Sequence, residues 1–467
     1  MIPRRRVSSS ASAEKRGADH RERHWYDPVV EVFWWAGLAA ALGGLFLLMT
    51  ASVEDRLAAF ALVPLLALVS VLLLRALVPA PDLKFLRRIL VAGILIRLGL
   101  AVLIHTQFPA GFFAPDQFTY QDVGWRTLQW FQGLGPQPAQ IVGGGEVGYF
   151  YWNAFLFDLF GFAPLAPKIV NCFLGAWLGV LAYRIGAELA GLQVGRSSAV
   201  LVTFFPSLIL WSAHNIRDTM VLFVIAVAML LTIRLRKHPS FPRILLIAAV
   251  LVLLGLLRDY MAVMMVFTLV GSFFISSRRQ VVLNLMLGLA ILGLAVLAYR
   301  QLGLGDRWLT SADFETLNVT RRNLAVGGTA FQPGVDISDP LRGIQFLPIG
   351  MAFFILAPFP WQFGSVLSVM SLPEQIIWYG LLPFVGIGSM YLIRHYFALA
   401  EPVLLFVLVT SVIYALVEGN AGTAYRHRAQ IVMFMLILGA VGIELVRARR
   451  LERADAAARR KVVRRNP

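Results

Sequence analysis

Residues 89–125 read ILVAGILIRLGLAVLIHTQFPAGFFAPDQFTYQDVGW, and the change of character within them decides the fold. An apolar run long enough to cross a bilayer ends near His105 and is followed by two carboxylates and a tyrosine among aromatic residues. Asp116 and Tyr120 are four residues apart, so they share one face if this segment is a short helix. We therefore place the candidate chemistry here, at a predicted membrane surface, although an aspartate after a proline also suits a simple helix cap.

The composition is that of an integral membrane protein. Hydrophobic residues occupy 58% of the 467 positions and charged residues 15%, against about 25% charged in soluble domains. Repeated apolar runs of about 17–22 residues predict an all-α polytopic fold rather than a barrel, whose strands would alternate. The net charge of +16 is concentrated in the tails and short loops, as the positive-inside rule requires, so no nucleic acid partner is predicted. The single cysteine, Cys172, lies in an apolar run, which excludes a disulfide framework and a cysteine metal site.

The distribution of lysine and arginine predicts the topology. It gives about twelve transmembrane helices with both termini cytoplasmic. Two basic cytoplasmic tails, residues 1–28 and 447–467, flank a transmembrane domain at residues 29–446, and the first tail has too little hydrophobic content to fold. The large outer-face loops are residues 106–165 and 300–374, and the ninth span rises to about Tyr299 before the second of them. A shorter outer loop at 418–428 is predicted before the last span at 431–446. We therefore predict a multi-pass protein of the cytoplasmic (inner) membrane with its active site on the outer face.

Three segments are predicted to depart from simple spans. Residues 149–160 are aromatic but too short to cross comfortably, so they are expected to form a helix in the interface. Residues 346–372 contain PFPW at 358–361, and a single crossing there would place the arginine-rich C-terminus outside. This segment is therefore expected to re-enter the membrane from one face or to lie along it. Pro206 predicts a kink inside the fifth span, which neighbouring helices must accommodate.

The predicted topology brings ionisable residues from separate loops to the outer ends of the spans: Asp116, Asp122, His214, Arg217, Asp218, Arg258, Asp259, Arg426, His427 and Arg428. An acid or arginine at mid-bilayer costs about 2.5–3.5 kcal/mol, so a place at span ends is expected, but outer loops need no arginine. Arginine binds phosphate oxygens bidentately, and flanking apolar helices suit a lipid tail. The acids would accept a proton or hold a divalent cation. Alternatively, adjacent arginine and aspartate residues simply neutralise each other.

Four short motifs resemble one known family. They are Asp116 with Tyr120 in the first loop, the aromatic segment GYFYWNAFLFDLFG at 148–161, Phe205-Pro206 followed by Arg217 and Asp218 at the next outer turn, and YRHR at 425–428 opening a final span. In these motifs the chain resembles the GT-C superfamily of polytopic glycosyltransferases. The likeness is to the branch related to protein O-mannosyltransferases and lipid A aminoarabinose transferases, and it is best over residues 89–235.

The resemblance implies a donor, a reaction and roles for these residues. The enzyme would take a sugar from a polyprenyl-phosphate-linked donor to a lipid, glycan or protein acceptor, inverting the anomeric centre, with membrane lipids around it. Asp116 would be the base or a metal ligand, with Asp218 as its partner in holding Mg²⁺ or Mn²⁺. The family often has glutamate where Gln117 stands, which weakens the metal role. The expected substrate-binding residues are Tyr120, Asp122, Arg217, Arg258, Asp259, Arg426, His427 and Arg428, with Arg426 and Arg428 on the donor phosphate.

Two other functions remain open from the sequence. An O-antigen type ligase or polymerase would also be polytopic, but it would use diphosphate-linked glycans and concentrate its catalytic residues in the late loop at 300–345. A lipid or sugar transporter would tend to carry ionisable residues in mid-span and to show internal halves, whereas these span middles are largely uncharged and no repeated half is evident. Substitution of Asp116 discriminates between the transferase and the ligase.

Overall fold

The structure, a computed structural model, describes residues 24–109, 111–143, 146–275, 293, 314–327, 329–359, 361 and 369–465. Its helices are α1 (Tyr26–Leu48), α2 (Val53–Leu77), α3 (Ala80–Gln107), α4 (Gln117–Phe131), α5 (Ala139–Gly143), α6 (Val147–Phe160), α7 (Leu165–Ala190), α8 (Leu192–Thr203), α9 (Pro206–Ser212), α10 (Asp218–Lys237), α11 (Phe241–Leu257), α12 (Asp259–Ile275), α13 (Phe314–Leu324), α14 (Pro340–Leu356), α15 (Leu372–His395), α16 (Phe397–Val417) and α17 (Ala421–Arg465). Within these ranges the prediction of an all-α polytopic membrane protein is confirmed, the one β-bridge being Ala330 with Asn420.

The described residues contain eight helices long and apolar enough to cross a membrane, and nine if the bent pair α8 and α9 counts as one span. Three shorter apolar helices, α11, α12 and α14, are of 17 residues each. The sequence predicted about twelve spans. The predicted ninth span, which rises to Tyr299, lies outside the described residues except for position 293.

Helix α7 forms the centre of the fold. Nearly all of its length is buried, and it packs against α3, α8 and α10. The N-terminal pair α1 and α3 pack closely because both helices carry glycine at their crossing. A Cβ on Gly99 would lie 2.5 Å from the carbonyl oxygen of Ala40, so only glycine permits this approach.

The predicted kink at Pro206 is a break between two helices. α8 ends at Thr203, Pro206 occupies the first turn of α9, and the two axes are bent by 56°. Proline lacks the amide hydrogen that would continue the α-helical hydrogen bonds, and it disfavours helical geometry in the residue before it. The break ends the span early and leaves residues 213–217 to form the turn that enters α10.

Helix α14 packs against the C-terminal end of α16. Phe346, early in α14, contacts the guanidinium of Arg321, which binds the backbone at Glu418. Phe354, near the other end of α14, stacks on Tyr414, four residues before Glu418. The C-terminal half of α14 therefore packs on the end of α16. Residues 360 and 362–368 lie outside the described residues, so the expected course of 346–372 stays a prediction.

The last helix is longer than the sequence predicted. Residues 418–428 were expected to be an outer loop, 431–446 a span and 447–467 a separate tail, but α17 runs unbroken from Ala421 to Arg465. Between residues 443 and 465 there is no glycine or proline, and alanine, arginine, leucine and glutamate favour a helix. The consequence is that residues 425–428 have helical geometry, which fixes the directions of their side chains.

Candidate functional site

A cavity of about 340 Å³ lies where α4, α12, α13, α16 and α17 meet. Its polar side is formed by residues that the sequence analysis selected, namely Asp116, Tyr120, Arg217, Arg258, Arg426 and His427, together with Glu146 and Glu418. Its apolar side is formed by Met264 of α12, Leu317 and Leu324 of α13, and Ile413 and Val417 of α16. The cavity therefore offers both charged groups and aliphatic side chains to a ligand.

Arg426 joins the two aspartates that the sequence predicted to be catalytic. Its Nη1 donates to Oδ2 of Asp116 at 2.6 Å, and its Nε and Nη2 donate to Oδ2 of Asp218 at 2.9 and 2.6 Å. The guanidinium also lies 5.9 Å from the ring centre of Trp211. Residues from α4's entry, α10 and α17 are thus held together by one side chain.

Asp218 is the buried anchor of this cluster. It is the first residue of α10 and only 4% exposed, and its Oδ1 forms an ion pair with Nη2 of Arg258 at 2.9 Å. A buried carboxylate is tolerated when it is paired, and a helix N-terminus adds favourable partial charge. Asp116, by contrast, is half-exposed, and its side chain makes no capping bond to α4, so the simple cap interpretation is not supported.

Two arginines of the cavity retain unused donors. Nε and Nη1 of Arg258 and Nε of Arg217 are buried and have no hydrogen-bond partner among the described residues. Arg217 forms an ion pair with Glu146 and donates from Nη1 to the carbonyl of Leu257 at 3.1 Å. Buried unpaired donors are costly, so this wall of the cavity favours an anion.

A network of amides positions the turn that carries Arg217 and Asp218. Nδ2 of Asn171, on α7, donates to the carbonyls of His214 and Ile216, both at 2.9 Å. The hydroxyl of Tyr149 donates to Oδ1 of Asn215 at 2.8 Å. The turn is therefore fixed from two helices before α10 begins.

Tyr120 closes the cavity from α4. It is 3% exposed and meets the ring of Tyr149 edge to face with centres 4.9 Å apart. Burial raises the pKa of the Tyr120 phenol, so this hydroxyl stays neutral and available as a hydrogen-bond donor.

Asp218 does not itself line the cavity but pairs with Arg258 and Arg426, which do. Four other predicted residues are also not among the described residues that line it. Asp122 pairs with Arg126 at 3.0 Å on the exposed side of α4, and Asp259 accepts from the amide of Tyr260 at 2.8 Å. His214 is buried beside Phe113, bonds through Nδ1 to the carbonyl of Leu210, and has its pKa lowered to about 4 by that burial. The fourth residue, Arg428, donates from Nη1 to the carbonyls of Ile355 and Ala357 at 2.7 and 2.9 Å, and its guanidinium lies over the ring of Trp378.

Two acids of the site were not selected from the sequence. Glu146 follows a glycine run and pairs with Arg217, while Glu418 ends α16 and meets Nδ1 of His427. The only sequence signal was an isolated acid next to glycine at each position, in Gly-Gly-Gly-Glu and in Glu-Gly. Such a signal does not reveal the partner of Glu146, because Arg217 lies 71 residues later in the chain, after α6, α7, α8 and α9.

The arrangement does not fit the predicted shared cation. The described residues contain no group of three or more histidine, cysteine, aspartate or glutamate side chains that could hold a metal ion. The space between Asp116 and Asp218 is filled by the guanidinium of Arg426, which binds an oxygen of each. A divalent cation at this position would be repelled by the positive charge of Arg426, so Asp116 and Asp218 do not form a shared metal site in this arrangement.

Residues 147–299 match the family of dolichyl-phosphate-mannose-protein mannosyltransferases. The match confirms the resemblance to the protein O-mannosyltransferase branch that the motifs indicated. No curated protein matches the chain. Among solved structures, the fold is similar to the archaeal oligosaccharyltransferase AglB of Archaeoglobus fulgidus in complex with an inhibitory peptide and a dolichol-phosphate, at 15% identity and a TM-score of 0.49, covering 80% of this chain and 52% of that one. The apo oligosaccharyltransferase of the same organism matches at 12% identity and a TM-score of 0.47, with the same coverage. The chain thus spans about half the length of these enzymes, at 52%.

Proposed function

We propose that the protein is a membrane glycosyltransferase that moves a sugar from a polyprenyl-phosphate-linked donor to a lipid, glycan or protein acceptor. The observation that carries the proposal is a cavity lined by Asp116, by Arg426, which binds both Asp116 and Asp218, and by aliphatic side chains. The match of residues 147–299 to dolichyl-phosphate-mannose-protein mannosyltransferases supports the same class of donor. We further propose that the site faces the outer side of the cytoplasmic membrane and that both termini are cytoplasmic.

The donor phosphate is proposed to bind on the wall formed by Arg217, Arg258 and Arg426. The two buried donors of Arg258 that lack partners would each gain an acceptor oxygen. Because Asp218 holds Arg258 and Arg426 from behind, both guanidiniums are oriented before the ligand arrives.

The polyprenyl chain is proposed to leave the phosphate along the apolar wall. Met264, Ile413 and Val417 line this wall from the membrane helices, and Leu317 and Leu324 cover it from α13. Helix α13 is held there by Arg321, which donates to the carbonyl of Glu418 and to that of Gln332 at 3.1 Å. An apolar channel beside a phosphate site distinguishes a lipid-linked donor from a free nucleotide sugar.

The proposed reaction inverts the anomeric carbon. The acceptor hydroxyl oxygen forms a bond to this carbon as the bond to the phosphate oxygen breaks, and the phosphate leaves with the electron pair. Arginine stabilises the leaving anion, so little general acid help is needed. Asp116, half-exposed at the cavity, is proposed to stabilise the positive charge that develops on the sugar ring in the transition state.

The proposal is tested with protein purified in lipid and supplied with polyprenyl-phosphate-linked sugars. We expect Asp116→Asn and Asp218→Asn each to lower the rate of sugar release by about 10²–10³-fold, the usual cost of removing a stabilising charge. Asp122→Asn is the matched control, because this aspartate lies six residues from Asp116 but pairs with Arg126 outside the cavity.

Equal thermal stability of the variants would separate loss of chemistry from loss of fold. Full turnover in both Asp116→Asn and Asp218→Asn would contradict the assignment of these residues. Turnover only with diphosphate-linked glycans would instead support a ligase or polymerase, and movement of the donor across the bilayer without sugar release would support a transporter.

A further inference from the structure

His427 and Glu418 form a pair among the residues that line the cavity, and His427 follows Arg426 directly in the chain. Nδ1 of His427 lies in hydrogen-bond contact with Oε1 of Glu418. The other carboxylate oxygen accepts from the hydroxyl of Thr423 at 2.6 Å, and Glu418 is fully buried. The glutamate is therefore held from both sides and cannot turn away from the imidazole.

This contact fixes the tautomer of the histidine. An ionised carboxylate only accepts hydrogen bonds, so Nδ1 carries a hydrogen and Nε2 presents its lone pair. The ring stacks on Tyr414 with centres 5.0 Å apart and planes at 20°, and His427 lines the cavity. Among the described residues, Nε2 has no hydrogen-bond partner. A histidine that lines the cavity and is oriented by a carboxylate has the arrangement of a general base.

Asp116 is already engaged by a cation. Its Oδ2 accepts from Arg426 at 2.6 Å, and this bond would have to weaken before the oxygen could take a proton. The imidazole of His427 has no such competitor at Nε2. The two groups are therefore suited to different tasks, charge stabilisation for the carboxylate and proton transfer for the histidine.

The position of His427 on α17 also suits an inverting reaction. Arg426 and His427 are neighbours, and successive residues of a helix point about 100° apart. Arg426 is proposed to hold the leaving phosphate, so His427 addresses a different side of the sugar. Inversion requires the acceptor and the leaving group on opposite sides of the anomeric carbon, and this separation provides room for both.

We infer that His427 is the general base that deprotonates the acceptor hydroxyl and that Glu418 is the residue that orients it, an inference that rests on the proposed transferase function. The acceptor proton passes to Nε2 as the acceptor oxygen bonds to the anomeric carbon, and the bond to phosphate breaks. The imidazolium formed is stabilised by the Glu418 carboxylate, and it later releases the proton to water.

The test compares wild type with His427→Gln, His427→Ala and Glu418→Gln. We expect His427→Gln to lower kcat by about 10²–10⁴-fold, the usual contribution of general base catalysis. Because phosphate binding is left to the arginines, the Kd for the donor should change less than about twofold. Glu418→Gln allows Nδ1 to accept rather than donate, so it should also lower kcat. His395→Gln is the control, since this histidine is exposed at the end of α15.

Two further readouts separate catalysis from structure. The fall in wild-type rate at acidic pH should be absent in His427→Gln, and imidazole added to His427→Ala should restore part of the rate. Wild-type-like turnover or an unchanged acid limb in His427→Gln would overturn this inference alone. Absence of sugar transfer by wild type would overturn the proposed function and this inference with it.

Discussion

The two ends of the helix bundle both contain a buried carboxylate bound to arginine, and at one of these ends the arginines line the cavity described above. At one end, Oδ2 of Asp82, on α3, accepts from the hydroxyl of Tyr183 at 2.5 Å. Its Oδ1 accepts from Nε of Arg196 at 2.7 Å and also from Nη2 of the same arginine. At the other end, Asp218 binds Arg258 and Arg426 beside open space. Both clusters pair an aspartate with arginine, but they differ in how many buried polar atoms have no hydrogen-bond partner.

No polar side-chain atom of the Asp82 cluster is both buried and without a partner in the described part of the chain. In the Asp218 cluster, Arg258 and Arg217 contribute three such donor atoms. A fourth atom, Oδ1 of Asp218, has no hydrogen bond but forms the ion pair with Arg258. Orphan donors at a cavity wall are costly in the empty protein and favourable once an anion supplies acceptors. A buried ion pair alone is thus weak evidence for a site, and the unused donors beside a cavity are stronger evidence.

The largest difference between the two clusters should appear when an arginine is removed from each. Arg426→Ala takes the shared cation from Asp116 and Asp218 and the charge from the leaving phosphate, so we expect kcat to fall by about 10³-fold. Arg196→Ala leaves Asp82 with Tyr183 alone, which should lower the melting temperature while kcat per folded molecule stays within about threefold. Sugar release and thermal unfolding in lipid measure both effects. Equal loss of kcat in the two variants would remove the distinction.

A smaller effect is expected when charge is kept and the donor fork is lost. Arg258→Lys retains the ion pair with Asp218 but lacks the planar array that includes the unused Nε and Nη1. Because hydrogen bonds to charged groups contribute about 1.5–3 kcal/mol, we expect the Kd for the donor lipid to rise roughly tenfold to hundredfold. Arg196→Lys should leave that Kd unchanged. A donor affinity insensitive to Arg258→Lys would place the phosphate elsewhere.

The sequence predicted the centre of the site better than its limits. Asp116, Asp218 and Arg426 were found because each lies at a span end and in a family motif. Asp122 and Arg428 lie outside the cavity because of helix geometry. At about 100° per residue, Arg428 points about 200° from Arg426, and Asp122 points about 240° from Asp116. Each side chain therefore points away from its neighbour in the cavity, Asp116 or Arg426. This was hidden at Arg428 because residues 421–428 were expected to be a loop rather than the start of α17.

The acids Glu146 and Glu418 were missed because their importance depends on contacts that no local pattern encodes. Glu418 reaches His427 only because the chain turns through Gly419 and Asn420 before α17 begins, where the side chain of Asn420 accepts from the amide of Gly422 at 2.8 Å. Hydrophobic periodicity identifies spans and their ends, but it carries no information on which ends meet. The lysine and arginine bias predicts that these ends share one membrane face. Which of the ends come into contact depends on how the helices pack around α7.

The smallest effect should come from removing divalent cations. The guanidinium of Arg426 occupies the space between Asp116 and Asp218 that a shared metal would need, so we expect chelation to change wild-type turnover by less than about twofold. Arg426→Ala sharpens this expectation, because it frees both carboxylates and should create measurable Mn²⁺ binding that wild type lacks. Asp116→Asn added to Arg426→Ala should abolish that binding again. If chelation instead stops wild-type turnover and Mg²⁺ restores it, Arg426 must move aside during the reaction. The Asp218 cluster would then be a metal site that Arg426 occupies in the absence of the metal.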